Sequence, residues 1–125
     1  AGAGGTSWSQ VEMHRAESEQ QALLAAAFID WGITTAESIL NVRRAAPQLM
    51  IFASGGLQTG VEIVKCVALG ATLGGMASPF LKAAAISTEE VVHLIQVIYR
   101  QMQVSMFAVG ATHLNQLADK ITLKV

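Results

Sequence analysis

The residues best suited to chemistry in this chain are small ones, in the run Ser54-Gly55-Gly56-Leu57-Gln58-Thr59-Gly60. An apolar run at residues 49–53 enters it, and an amphipathic helical pattern at residues 61–69 leaves it. That is the sequence form of a strand, a tight loop and a helix start. Glycines without a Cβ let successive backbone N–H groups converge on one anion, and the partial positive charge of a helix N-terminus favours a phosphate there. A second run, Gly74-Gly75-Met76-Ala77-Ser78, follows one strand–helix unit later, and a third glycine pair, Gly4-Gly5, lies near the start of the chain. Any one such pair also reads as a tight turn. Two loops spaced by one βα unit predict adjacent parallel strands whose C-terminal ends face a single anionic ligand.

Other chemically able residues lack a catalytic pattern. His14, His93 and His113 have no metal-ligand spacing. Cys66 stands among Ile63, Val64 and Val67, where a small buried hydrophobe is expected. Glu12 and Arg15 read as a solvated loop face near Trp8, Trp31 reads as packing, and the five methionines read as core filler or an interface. No catalytic acid or base and no metal ligand is assigned.

The elements that must position the loops follow from periodicity and punctuation. Residues 2–15, with their glycines, Thr6, Ser7 and Ser9, read as loop, and residues 17–28, rich in Glu, Gln, Ala and Leu, as a short helix. Thr34 and Glu37 have capping-box spacing before a helix that Pro47 closes. Residues 49–53 and 71–76 read as buried parallel strands covered on both faces, with the helix 61–69 between them ending at Gly70. Residues 79–85 form a short helix, and a Ser87–Glu90 capping box opens a long one that ends near Gly110. A last short helix is expected over 112–120, then a tail. Strand, loop and helix alternate as in βα units, an α/β fold.

Composition limits what such a chain does by itself. In 125 residues, long enough for one domain, 52% are apolar and only 14% charged, against about 25% charged in soluble domains. This predicts either a piece of a larger fold or a subunit that buries much of itself against a partner. The opening Ala1-Gly2-Ala3-Gly4-Gly5, which starts without Met inside a loop motif, favours the first. Net charge is −1 with dispersed basic residues, so no nucleic-acid footprint is present. The longest apolar run, residues 22–29, is far short of the roughly 20 residues of a membrane span. No signal-peptide pattern is found, and the single cysteine fits a reducing, cytoplasmic setting.

Taken together, Gly4-Gly5-Thr6-Ser7-Trp8, Phe28-Ile29-Asp30-Trp31-Gly32-Ile33, the loop 53–60, Gly75-Met76-Ala77 and the ending 106–117 resemble the C-terminal part of the type 2 isopentenyl-diphosphate isomerases. The resemblance spans nearly the whole chain. It implies the C-terminal portion of an FMN-dependent TIM (β/α)8 barrel, about strands 7 and 8 with their flanking helices, incomplete as a free-standing barrel without the N-terminal half. It further implies that Thr6 contacts the flavin, that Gly56, Leu57, Gln58, Ala77 and Ser78 hold its phosphate, and that Trp8 lies near the substrate. Gln58 stands where that pattern often has Arg, and Ser78 where it often has Gly. The activity implied is interconversion of isopentenyl and dimethylallyl diphosphate by reduced FMN, with NADPH as reductant and Mg²⁺ on the diphosphate, in a homo-oligomer. Two other readings stand beside it: another FMN barrel oxidoreductase, for which the expected His-Arg substrate motif is missing, and a non-catalytic fragment or partner subunit.

Overall fold

The computed structural model describes residues 5–120. Gly4 of the N-terminal glycine pair and the tail after Lys120 lie outside the described residues. Six helices and one pair of strands follow in order: α1 (Trp8–Arg15), α2 (Glu19–Ala26), α3 (Thr35–Ala45), β1 (Phe52–Ala53), α4 (Gly60–Ala68), β2 (Leu73–Gly74), α5 (Ser78–Ala84) and α6 (Thr88–Ala108). Two 3-10 turns, Leu114–Gln116 and Ala118–Lys120, stand where a single short helix was expected.

Helix α1 corrects the loop expected over residues 2–15. The Ser7 hydroxyl accepts the N–H of Gln10 and caps it, and the eight residues that follow contain neither Gly nor Pro. The same device starts α2 at Ser18, α3 at Thr34 and α6 at Ser87. At Thr34 and Ser87 only this half of the expected capping box forms. The full reciprocal box is at Thr59 and Glu62, which open α4.

Strands β1 and β2 pair in parallel, Phe52 opposite Leu73 and Ala53 opposite Gly74, with α4 as the crossover. The pairing continues at each end, from Thr72 N–H to Ile51 O (2.7 Å) and from Gly75 N–H to Ala53 O (2.8 Å). These strands are shorter than expected, and they are covered on one face only. Side chains alternate across a strand, so Ile51 and Ala53 pack into a core with Ile39 of α3, Leu57, Cys66 of α4 and Ala71. Phe52 and Leu73 take the opposite face and remain 65% and 45% exposed. A second core gathers Val64 of α4, Ala111 and Leu117, with Met102 and Met106 of α6 packed against it. Helix α4 thus contributes to both cores, which fixes the first glycine loop at its N-terminal end and, through the turn at Gly70, the start of β2.

Arg43 ties α3 to this unit. Its guanidinium donates to the carbonyls of Pro47, Leu49 and Gly70. It therefore joins the segment entering β1 to the turn that leaves α4, where Gly70 has a φ of 108° and its carbonyl lacks a helical partner.

Candidate functional site

Both glycine loops leave the same end of the parallel pair, as adjacent parallel strands require. Between them lies a pocket of about 690 Å³ lined by Gly5, Thr6, Trp8, Ser54, Gly55, Gly56, Leu57, Gln58, Gly75, Met76, Ala77 and Ser78, within the usual range of about 300–1,000 Å³ for small-molecule sites. All seven residues singled out for the flavin and substrate, Thr6, Trp8, Gly56, Leu57, Gln58, Ala77 and Ser78, line it.

The first loop is shaped by its glycines and anchored by one leucine. Gly55 and Gly56 have φ of 117° and 76°, a region that L side chains enter only at a cost. The Leu57 side chain is buried in the β1 core, so its backbone is what faces the ligand space. The Thr35 hydroxyl donates to Gly55 O at 2.8 Å, which fastens the loop to the start of α3. Thr35 was missed in the sequence because it reads there as one more residue of a helix start.

Several donors at the head of α4 are already committed. Glu62 Oε2 accepts the N–H of Gln58 at 2.6 Å and of Thr59 at 2.9 Å, together with the Thr59 hydroxyl at 3.3 Å. Gln101 Oε1, from α6, accepts the N–H of Gly60 at 2.7 Å. The Gln58 N–H is the main reason that the Glu62 carboxyl lies below the ordinary glutamate range; desolvation opposes it, and Thr59 and Lys65 add to the lowering. The expectation that this helix start offers bare N–H groups to an anion is thereby revised. Gln58 meets the pocket through its exposed side chain.

Other donors are free. Among the described residues, the N–H groups of Ser54, Gly55, Gly56, Leu57, Met76, Ala77 and Ser78 have no acceptor. Helix α5 starts at Ala77 with no side-chain cap and with Pro79 in its first turn. Unpaired N–H groups on two loops of one pocket form a cradle with the donor chemistry that a phosphate requires.

The remaining candidates lie elsewhere or differ from expectation. Trp8 opens α1 rather than sitting in a loop, and it edges the pocket while 75% exposed. Trp31 is not buried packing: it is 77% exposed, with its ring 5.2 Å from that of Phe28. Glu12 and Arg15, on α1, line a separate cleft against α2. Cys66 is buried as expected, and desolvation, aided by the Glu62 charge, pushes its thiol pKa up. Among the described residues no three His, Cys, Asp or Glu side chains gather as a metal site, and no helix is long and apolar enough to cross a membrane.

A parallel βα pair with glycine loops around an anion-sized cradle is the arrangement of a phosphate-bearing cofactor site on an α/β scaffold, and the family model of FMN-dependent dehydrogenases matches residues 26–124. The chain belongs to that family. It is 44% identical over 117 residues to an isopentenyl-diphosphate delta-isomerase of Rickettsia bellii, 45% over 124 residues to one of a Nostoc species, and 46% over 125 residues to one of Stutzerimonas stutzeri. These alignments cover 94%, 99% and 100% of the chain, and 34%, 35% and 36% of the respective relatives. The chain therefore spans about a third of the length of the curated relatives it matches. They bear the name to which the sequence motifs pointed.

Proposed function

We propose that this chain supplies two rim loops of the FMN site of an isopentenyl-diphosphate isomerase, as part of a single FMN-binding (β/α)8 barrel domain in which β1 and β2 are strands 7 and 8. The observation that carries the proposal is the cradle: unpaired N–H groups on adjacent βα loops in a pocket of cofactor size, in a chain of the FMN-dependent dehydrogenase family. In this reading Gly56, Leu57, Ala77 and Ser78 hold the flavin phosphate through their N–H groups. The side chains of Gln58, Thr6 and Ser78 add neutral hydrogen bonds, and Trp8 shields the substrate side from water.

The chemistry supplied by bound, reduced FMN is proton transfer at a ring nitrogen, which moves the double bond between isopentenyl and dimethylallyl diphosphate without net oxidation. The chain's own part is position and electrostatics. The pocket lining includes no carboxylate for Mg²⁺, so the metal belongs, in this proposal, with residues beyond this chain, and NADPH is the reductant of the flavin. The one-sided sheet, with Phe52 and Leu73 bare, supports the further point that the chain alone is a non-catalytic part that needs the rest of the barrel.

The test is a chimaera in which this chain replaces the matched third of the Stutzerimonas relative. The chimaera is expected to bind FMN and to convert isopentenyl to dimethylallyl diphosphate, whereas the chain alone is expected to bind no flavin at low micromolar concentration. Oxidation of a hydroxy acid in place of isomerisation would move the chain to the oxidoreductase reading, and tight FMN binding by the chain alone would refute its incompleteness.

A further inference from the structure

We propose that the cleft lined by Trp8, Phe28 and Trp31 is a second, apolar site, which takes the far end of a hydrocarbon chain longer than the five-carbon substrate. The inference rests on the isomerase reading above and names a further class of ligand, the longer isoprenoid diphosphates.

The cleft has a volume of about 280 Å³ and lies between the start of α1 and the turn after α2, lined by Thr6, Ser7, Trp8, Ser9, Phe28 and Trp31. Its walls are fastened to one another. The Ser9 hydroxyl donates to Phe28 O at 2.8 Å, the Ser7 hydroxyl to Ile29 O at 3.3 Å, and the Trp31 N–H to Phe28 O at 3.1 Å. Both serine protons are thus spent on carbonyls, and what the cleft offers a ligand is chiefly aromatic surface. The Phe28 and Trp31 rings stand with centroids 5.2 Å apart and planes at 38°, a favourable aromatic contact that makes them one wall.

Two observations identify the occupant as the end of a larger ligand. The volume falls below the usual range of about 300–1,000 Å³ for a complete small-molecule site, so the cleft suits a segment. Thr6 and Trp8 line both this cleft and the pocket between the glycine loops, so a chain that starts on the substrate side of Trp8 reaches the aromatic wall past one side chain. In the isomerase reading the substrate is a branched five-carbon chain on a diphosphate. A ten-carbon chain keeps that head and adds only apolar length, which aromatic walls bind through buried area and dispersion. The longer diphosphate is then a competitive inhibitor that Trp31 helps to recognise.

The test compares n-pentyl and n-decyl diphosphate, which have no double bond to move, as inhibitors of isomerisation by the chimaera described above and as its ligands in calorimetry. Decyl diphosphate is expected to bind at least about tenfold more tightly than pentyl diphosphate and to compete with isopentenyl diphosphate. Trp31→Ala is expected to cut that preference below about threefold by weakening decyl diphosphate alone, and Trp31→Phe, which keeps an aromatic wall, to retain most of it. Pentyl diphosphate reports the folding of each variant, and the comparison on the unsubstituted protein needs no variant. Equal affinities for the two chain lengths, or a decyl preference that Trp31→Ala leaves intact, overturn the proposal. Equal affinities together with a lowered unfolding temperature in Trp31→Ala would assign the cleft to the remainder of the barrel instead. Absence of isomerisation overturns the isomerase reading, while calorimetry still reads the chain-length preference, so the two failures are distinguished.

Discussion

The side-chain oxygen of Gln101 accepts the N–H of Gly60 at 2.7 Å, joining the middle of α6 to the first residue of α4. The close approach depends on glycine: a Cβ at Gly60 would fall on the Ile98 carbonyl oxygen and press on Gln101 and Met102. Because φ at Gly60 is not positive, alanine suits its backbone, and its entropic benefit alone would stabilise the fold. Overpacking against backbone outweighs that benefit. Gly60→Ala is therefore expected to cost about 1–3 kcal/mol in urea unfolding, and a stabilised variant would show that α4 and α6 are not this close.

Arg43 is expected to be the costliest polar side chain to remove. Arg43→Leu leaves the Pro47, Leu49 and Gly70 carbonyls without their donor. Hydrogen bonds to a charged group contribute about 1.5–3 kcal/mol, and thermal unfolding should fall accordingly. A change of a few tenths of a kcal/mol would mean that water replaces the guanidinium freely.

Cys66 offers a probe of the β1 core. Burial and the nearby Glu62 charge both raise its thiol pKa, so alkylation by iodoacetamide near neutral pH is expected to be slow in the folded chain and fast in urea. Equal rates in the two conditions would place the thiol at the surface.

Acid should loosen the first loop. The Glu62 pKa is lowered in the folded chain, chiefly by the Gln58 N–H, so its contribution is present above the unfolded glutamate pKa and is lost as pH falls through the folded value. Amide exchange at Gln58 and Thr59 is expected to rise as pH drops below the ordinary glutamate range, after correction for intrinsic exchange. Glu62→Gln should remove that step.

Phe52 and Leu73 form an in-register apolar pair on the uncovered face of an open two-stranded sheet. Such a face and its free edges promote association. The isolated chain is expected to self-associate in sedimentation velocity, and Phe52→Lys with Leu73→Lys to shift it toward monomer. Unchanged association would locate the sticky surface elsewhere.

Much of this was legible in the residues themselves. Runs of glycine, the apolar segments before them and the serines and threonines ahead of helices act locally, and local physics placed β1, α4, β2 and α6 with the two glycine loops, while the seven pocket residues followed from the family resemblance. Helix α1 escaped because the glycines and Thr6 upstream of Ser7 outweighed the cap that Ser7 provides. The strand lengths were overread, since an apolar run is the same whether one face is covered or two. What only the tertiary structure decided is the state of each donor at the pocket: Gln101 is far from Gly60 along the chain and Thr35 far from Gly55, and Glu62 competes with a ligand for the very N–H groups that its own capping box requires. Sequence spacing shows that backbone donors exist, but whether they are free depends on contacts made across the fold.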